Sequence, residues 1–317
     1  MTDSSERPFF ILACDGGGIR GVATVSFLYH MEKHLQSLDD SFSIYDSFDM
    51  FAGSSIGAYI VMPIALQKKT AREIKDDIFV PGAFKRIMDE SLWDDIMGLA
   101  QHKPKYDGCG KTEILHEALG DISFCDTEKH LIVPAYNISK RTTNVFYSKD
   151  CDENLLAREV ADAASAAPAY FPATSITVDG ITDWFIDGGI TVNNPSICAI
   201  SHAYNLIKSS AKRKIVLINV GTGIKNKSII GKDAVGYGGI EWLLHDIIGI
   251  SMDESVVHVQ TALLLQNHTY IKVTSLLSGI SESIDDCSDE NVRRLQELGE
   301  TWWNTYKDEI VSLFHSE

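Results

Sequence analysis

An unbroken apolar run, Phe9 to Cys14, stands between Pro8 and a cluster of glycines. Apolar residues in succession, without polar alternation, predict a strand buried on both faces of a parallel sheet. Past the glycines, Val22, Val25, Leu28, Met31, Leu35 and Leu38 recur three or four residues apart. That spacing predicts a helix with one apolar face. A second apolar run, Phe48 to Ala52, passes through Gly53-Ser54-Ser55-Ile56-Gly57 into Ala58 to Met62, the pattern of a strand, a sharp turn and a helix. Strand, helix, strand, helix in that order implies a right-handed parallel crossover and an α/β fold.

From Ile64 to about Leu99 the pattern is helical but irregular, and Pro63 predicts a kink or early end of the preceding helix. The polar stretch 101–111 reads as a loop, either a cap over a site or a solvated connector. Strands are predicted over Lys129–Tyr136 and Thr143–Tyr147, and an alanine-rich helix over Leu155–Ala167, stopped by Pro168. Trp184 to Asp187 reads as a strand closing on Gly188-Gly189. Asn193-Asn194-Pro195 opens a helix with Asn194 as N-cap, and Ile215–Val220 is one more buried strand. From 231 to 317 the chain is predicted to be a helical portion packed on the same domain as residues 1–230. Its helices are Ile240–Met252, Ser255–Gln266 and a C-terminal helix marked by Val292, Leu295, Leu298, Trp302, Tyr306, Ile310 and Leu313. Trp303, off that stripe, is the residue expected to meet a partner.

With 317 residues, 44% of them hydrophobic, the chain has ample material for a core. The formal net charge of −16 excludes nucleic acid as a natural partner and argues against electrostatic docking on anionic lipid. Peripheral contact with a membrane then requires an apolar mouth, a local basic patch or a partner protein. Six scattered cysteines without Cys-x-x-Cys suggest neither a disulfide framework nor a zinc site. No metal or cofactor is expected. The N-terminus lacks the basic and apolar regions of a Sec signal, and no apolar run is long enough to span a membrane, so the expected location is cytoplasmic, with peripheral membrane attachment or delivery as an effector as alternatives.

Three strand ends carry candidate chemistry. Gly53-x-Ser55-x-Gly57 has the form of a nucleophile elbow, which lifts the Ser55 hydroxyl above the sheet at a helix N-terminus. Asp15-Gly16-Gly17-Gly18-Ile19-Arg20-Gly21 could present consecutive N–H groups to charge developing on a carbonyl, an oxyanion hole. Gly16-x-Gly18-x-x-Gly21 also fits a dinucleotide fingerprint, but the second strand closes on Ala52-Gly53-Ser54-Ser55 without the acidic residue that a ribose needs. Asp187, followed by Gly188 and Gly189, is a candidate base. A Ser-Asp-His order is open through His245, His258 or His268.

These motifs, in this order, resemble those of the patatin-like phospholipase family: Asp-Gly-Gly-Gly-x-Arg-Gly at Asp15 to Gly21, Gly-x-Ser-x-Gly at Gly53 to Gly57, and Asp-Gly-Gly at Asp187 to Gly189. Ala163 to Pro172 and Asn193-Asn194-Pro195 are similar to further blocks of that family. The resemblance runs from about Phe10 to Gly223. It implies a three-layer fold with a central, mostly parallel sheet flanked by helices. It also implies a lipid acyl hydrolase that cleaves phospholipid or other fatty-acyl esters through a Ser55–Asp187 dyad. Gly17 and Gly18 would form the oxyanion hole, with Asp15, Gly16, Arg20 and Gly21 supporting their loop. Many relatives wait for an activator, so the resemblance further implies a possible protein or nucleotide activator.

Overall fold

The computed structural model describes residues 7–79, 81–88, 103–207, 213–226, 228–238, 242, 249–250 and 252–315. The first half comprises β1 (Phe9–Cys14), α1 (Gly21–Leu38), α2 (Ile44–Ser47), β2 (Met50–Gly53), α3 (Ile56–Gln67), α4 (Ala71–Asp77), α5 (Pro81–Ile87), α6 (Cys109–Leu119), β3 (His130–Asn137) and β4 (Thr142–Tyr147). There follow α7 (Ala157–Ala164), β5 (Thr174–Val178), β6 (Ile181–Asp187), α8 (Gly189–Val192), α9 (Ser196–Ile207) and β7 (Ile215–Val220). The last part contains α10 (Gly231–Ala234), α11 (Ser255–Leu264), β8 (Thr269–Val273) and α12 (Asp289–Phe314).

Eight strands form one mixed sheet, hydrogen-bonded along β5-β6-β3-β2-β1-β7-β8 with β4 also on β3. The pairs β3–β2, β2–β1, β1–β7 and β7–β8 are parallel, whereas β4 and β6 run antiparallel to β3. Alternation along β1 divides the interior in two. Phe10, Leu12 and Cys14 face the core built with α1, α3 and α12, while Phe9, Ile11 and Ala13 face the one built with α9. Helices on both faces of a parallel centre give the three layers, and explain why β1 reads as an uninterrupted apolar run.

Several expectations need correction. α3 continues through Pro63 to Gln67 without ending, because its residues from Ile56 to Ala65 are all buried and packing holds the helix. Trp303 does not face outward: it is buried, its ring 6.1 Å from that of Phe27 and 5.5 Å from that of His34. The portion beyond 231 is not only helical, since β8 adds a parallel strand to β7. Lys111, expected to end the polar loop 101–111, lies instead in the first turn of α6 and is 2% exposed. Cys125 and Cys151, 26 residues apart, form a disulfide, because they stand at the two ends of the β3–β4 hairpin and the fold brings their Cα atoms to 6.2 Å. The predicted helix over 240–252, with His245, and residues 89–102 lie wholly or largely outside the described residues.

Candidate active site

Ser55 stands between β2 and α3 at φ 51°, ψ −122°, a conformation that a non-glycine residue holds only under constraint. The constraint is the close approach of three backbones. A Cβ on Gly53 would stand 2.6 Å from the Gly57 carbonyl carbon, and one on Gly57 would stand 2.2 Å from the Cys14 carbonyl oxygen. Only glycine lets α3 leave the sheet so tightly. Ser54 points the other way, its hydroxyl donating to the Val192 carbonyl at 2.7 Å.

Asp187 reaches Ser55 by an unusual route. β2 pairs with residues 130–132 of β3 and β6 with residues 135–137, while β4 holds the opposite edge of β3 from 132 to 137. β2 and β6 therefore share one edge of β3 and meet end to end. Asp187, last in β6, arrives over the carboxyl end of β2 from the opposite direction. The sequence reading placed Asp187 at a strand end beside Ser55 and Asp15; the strand proves to be antiparallel to its neighbour. Ser55 Oγ donates to Asp187 Oδ2 at 2.6 Å, and the Gly189 N–H donates to Oδ1 at 2.7 Å. Burial pushes the Asp187 carboxyl up to about 6, against the opposing pull of the Ser55 hydroxyl, the Gly189 N–H and the Lys111 charge.

The loop after β1 lies beside this pair. Gly18 takes φ +59°, and a Cβ there would stand 2.2 Å from the Ile284 carbonyl oxygen. Among the described residues the N–H groups of Gly17 and Gly18 donate to no protein acceptor. Arg20 is buried and its guanidinium donates to the Gly17 carbonyl at 3.2 Å and to the Gly223 carbonyl at 3.3 Å, tying the loop to the segment after β7. Gly21 opens α1, and Gly188 and Gly189 carry the chain from Asp187 into α8.

Asp15 faces away from the serine. Its carboxyl accepts from Asn219 Nδ2 at 2.6 Å and from the Lys272 ammonium, which also pairs with Glu254. Asn194 Nδ2 completes the cluster, donating to Asn219 and Glu254 at 2.9 and 3.1 Å. Burial and the neighbouring Glu254 raise Asp15 well above the usual carboxylate range, Lys272 opposing. Burial would raise Glu254 too, but the hydrogen bond from Asp15 and the Lys272 charge outweigh it and hold Glu254 low. This support under the glycine loop went unseen in the sequence because Glu254 and Lys272 lie in the portion read as helical. The alternating Thr-Tyr-Ile-Lys-Val of β8 was the available signal.

Ser55, Asp187 and Gly18 open onto a cavity whose wall is mainly apolar: Ile56, Phe84, Ile87, Met88, Phe171 and Ile190 among others. Lys111, Tyr59 and Ser165 add polar atoms to it, with Lys111 paired to Asp162 and Tyr59 hydrogen-bonded to Ser165. A larger and more polar cleft, with Glu254 and Lys272 in its wall, adjoins it and shares Tyr170, Met252 and Ile284 with the first. Of the candidate histidines, His258 and His268 are engaged elsewhere. His258 Nδ1 is 3.0 Å from the Tyr270 hydroxyl, and His268 Nδ1 accepts the Ile215 N–H at 2.9 Å. Among the described residues no histidine bonds Ser55 or Asp187. Nor does any group of three or more His, Cys, Asp or Glu among them form a metal site.

A serine elbow at a strand end of an α/β sheet, opening on an apolar cavity, is the arrangement of a serine ester hydrolase. A family model described as patatin-like phospholipase matches residues 12–197, and the chain belongs to that family. Patatin-like protein 2 of Oryza sativa subsp. indica is 28% identical over 92% of this chain and 82% of its own length. Patatin-like protein 2 of Arabidopsis thaliana is also 28% identical, over 92% and 81%. Among solved structures, VipD from Legionella pneumophila shares the fold, with a TM-score of 0.52 at 12% identity over 96% of this chain and 67% of that one.

Proposed function

We propose that Ser55 and Asp187 form a catalytic dyad that hydrolyses fatty-acyl esters of phospholipids or lysophospholipids. Asp187 takes the proton as Ser55 Oγ attacks the ester carbonyl, and returns it to the leaving alcohol. The Gly17 and Gly18 N–H groups receive the charge on the tetrahedral oxygen. Water then releases the fatty acid from the acyl-enzyme. The observation that carries this reading is the 2.6 Å bond between the buried Ser55 hydroxyl and Asp187 at the edge of an apolar cavity. Because the carboxyl sits close to neutrality in its affinity for protons, it is a competent base near pH 7. With a net charge of −16, the enzyme meets lipid through apolar side chains rather than through charge. The test is hydrolysis of mixed phospholipid vesicles by the native protein and by Ser55→Ala. Fatty acid released by the native protein and not by the variant supports the reading, and equal release by both refutes it.

A further inference from the structure

The Asn193 amide is a polar group beside this site to which no task has been assigned. Its Oδ1 is buried and accepts no hydrogen bond from the described residues. A buried acceptor left without a donor is rare and calls for a reason. Its position supplies one. A Cβ on Gly16 would stand 2.4 Å from Asn193 Oδ1 and 3.2 Å from Ser55 Cβ, so the amide oxygen borders the serine. A Cβ on Gly189 would stand 3.0 Å from Asp187 Oδ1 and 3.3 Å from Asn193 Oδ1, so carboxylate and amide oxygens flank the same face of the backbone.

The amide is also held in place. The Asn193 carbonyl accepts the Gly16 N–H at 3.0 Å, and the next residue, Asn194, is anchored by Asn219, Glu254 and the Ser196 N–H. Asn193 lines the polar cavity, whereas the apolar cavity lies on the side of Ile56 and Phe171. An acyl chain in the apolar cavity leaves the polar one as the supply of solvent.

Building on the dyad reading above, we propose that Asn193 Oδ1 and Asp187 together hold the water that hydrolyses the acyl-enzyme. The water gives one hydrogen to Asn193 Oδ1 and the other to the Asp187 carboxylate. Its oxygen bonds to the acyl carbon as Asp187 takes the proton. The bond from carbon to Ser55 Oγ then breaks, Asp187 returns the proton to Oγ, and the fatty acid leaves. Asn193 has no part in the first half of the cycle, in which the nucleophile is Ser55 itself.

The test separates the two halves on full-length protein. Asn193→Ala should lower kcat for a chromogenic fatty-acyl ester about 10- to 100-fold, the range expected for losing one such hydrogen bond. KM should fall with it, leaving kcat/KM and the rate of fluorophosphonate labelling at Ser55 within about threefold of native. Acyl-enzyme should accumulate, visible by intact mass, and added methanol should capture a larger share of the acyl group than it does in the native enzyme. Asn193→Asp, which keeps the acceptor and the shape, should restore hydrolysis at high pH. Labelling and turnover slowed in equal proportion, or turnover and methanol capture unchanged, would overturn the proposal. Activity surviving in Ser55→Ala would instead refute the dyad reading on which it rests.

Discussion

Ser55 Oγ and Asp187 Oδ2 lie 2.6 Å apart across 132 residues of chain, at the point where β2 and β6 meet end to end along one edge of β3. The geometry follows from the sheet rather than from any local motif. β3 is longer than its parallel neighbour, and the stretch of its edge beyond β2 is taken by a strand returning from the far side.

With Asp187 as the proposed base, its ionisation is expected to set the pH dependence. A base held at about 6 by burial must be deprotonated to accept the serine proton. kcat/KM is expected to rise about tenfold per pH unit below that point and to flatten above it. A pH–rate profile on a soluble ester checks this. An inflection near 4 would mean that burial does not raise this carboxyl, and a second ionisation typical of histidine would point to a different base.

The same burial should weaken the fold. Because the folded-state value of about 6 exceeds the ordinary 3.8, the folded protein holds the proton over that interval and the unfolded chain does not. The resulting destabilisation is absent below about 3.8 and complete above about 6. Asp187→Asn removes it, and is expected to be more stable than the native protein at pH 8 by up to about 3 kcal/mol. Urea unfolding at pH 8 and pH 3.5 should show that difference at the higher pH and its near disappearance at the lower.

Strain at the elbow gives a second stability contrast. Ser55 at φ 51° is constrained, and glycine adopts that region freely. Ser55→Gly should therefore be more stable than Ser55→Ala by about 1 kcal/mol, with both inactive. Thermal or urea unfolding of the two variants measures it directly, and a lower stability for the glycine variant would remove strain from the account.

Lys272 bridges Asp15 and Glu254 in a cluster that supports the glycine loop from below. Lys272→Met leaves both carboxyl groups buried without their cation, and is expected to destabilise the protein by about 3–5 kcal/mol. The loss should grow with rising pH as the unpaired carboxyls are driven to ionise. Denaturant midpoints at pH 5 and pH 8 test both the size and the trend.

Much of this site was legible in the sequence because its determinants are local. Gly53, Ser55 and Gly57 encode a turn within five residues, and the Asp15–Gly21 loop is written just as compactly. What was not legible depends on distant pairing. That Asp187 ends an antiparallel strand, that Lys272 reaches back to Asp15, and that Lys111 turns inward to Asp162 are products of sheet assembly, which no single stretch specifies. Trp303 was misread for a related reason. A helix packed as α12 is against α1 buries more than one narrow stripe, so position relative to that stripe did not decide exposure.

The most direct test of the central claim is intact-mass analysis of the protein after reaction with a fluorophosphonate, with the adduct located by peptide mapping. A single adduct on Ser55, absent in Ser55→Ala and formed far more slowly in Asp187→Asn, is the predicted result. An adduct on another residue, or labelling of Ser55 at the native rate without Asp187, would contradict a serine activated by that carboxylate.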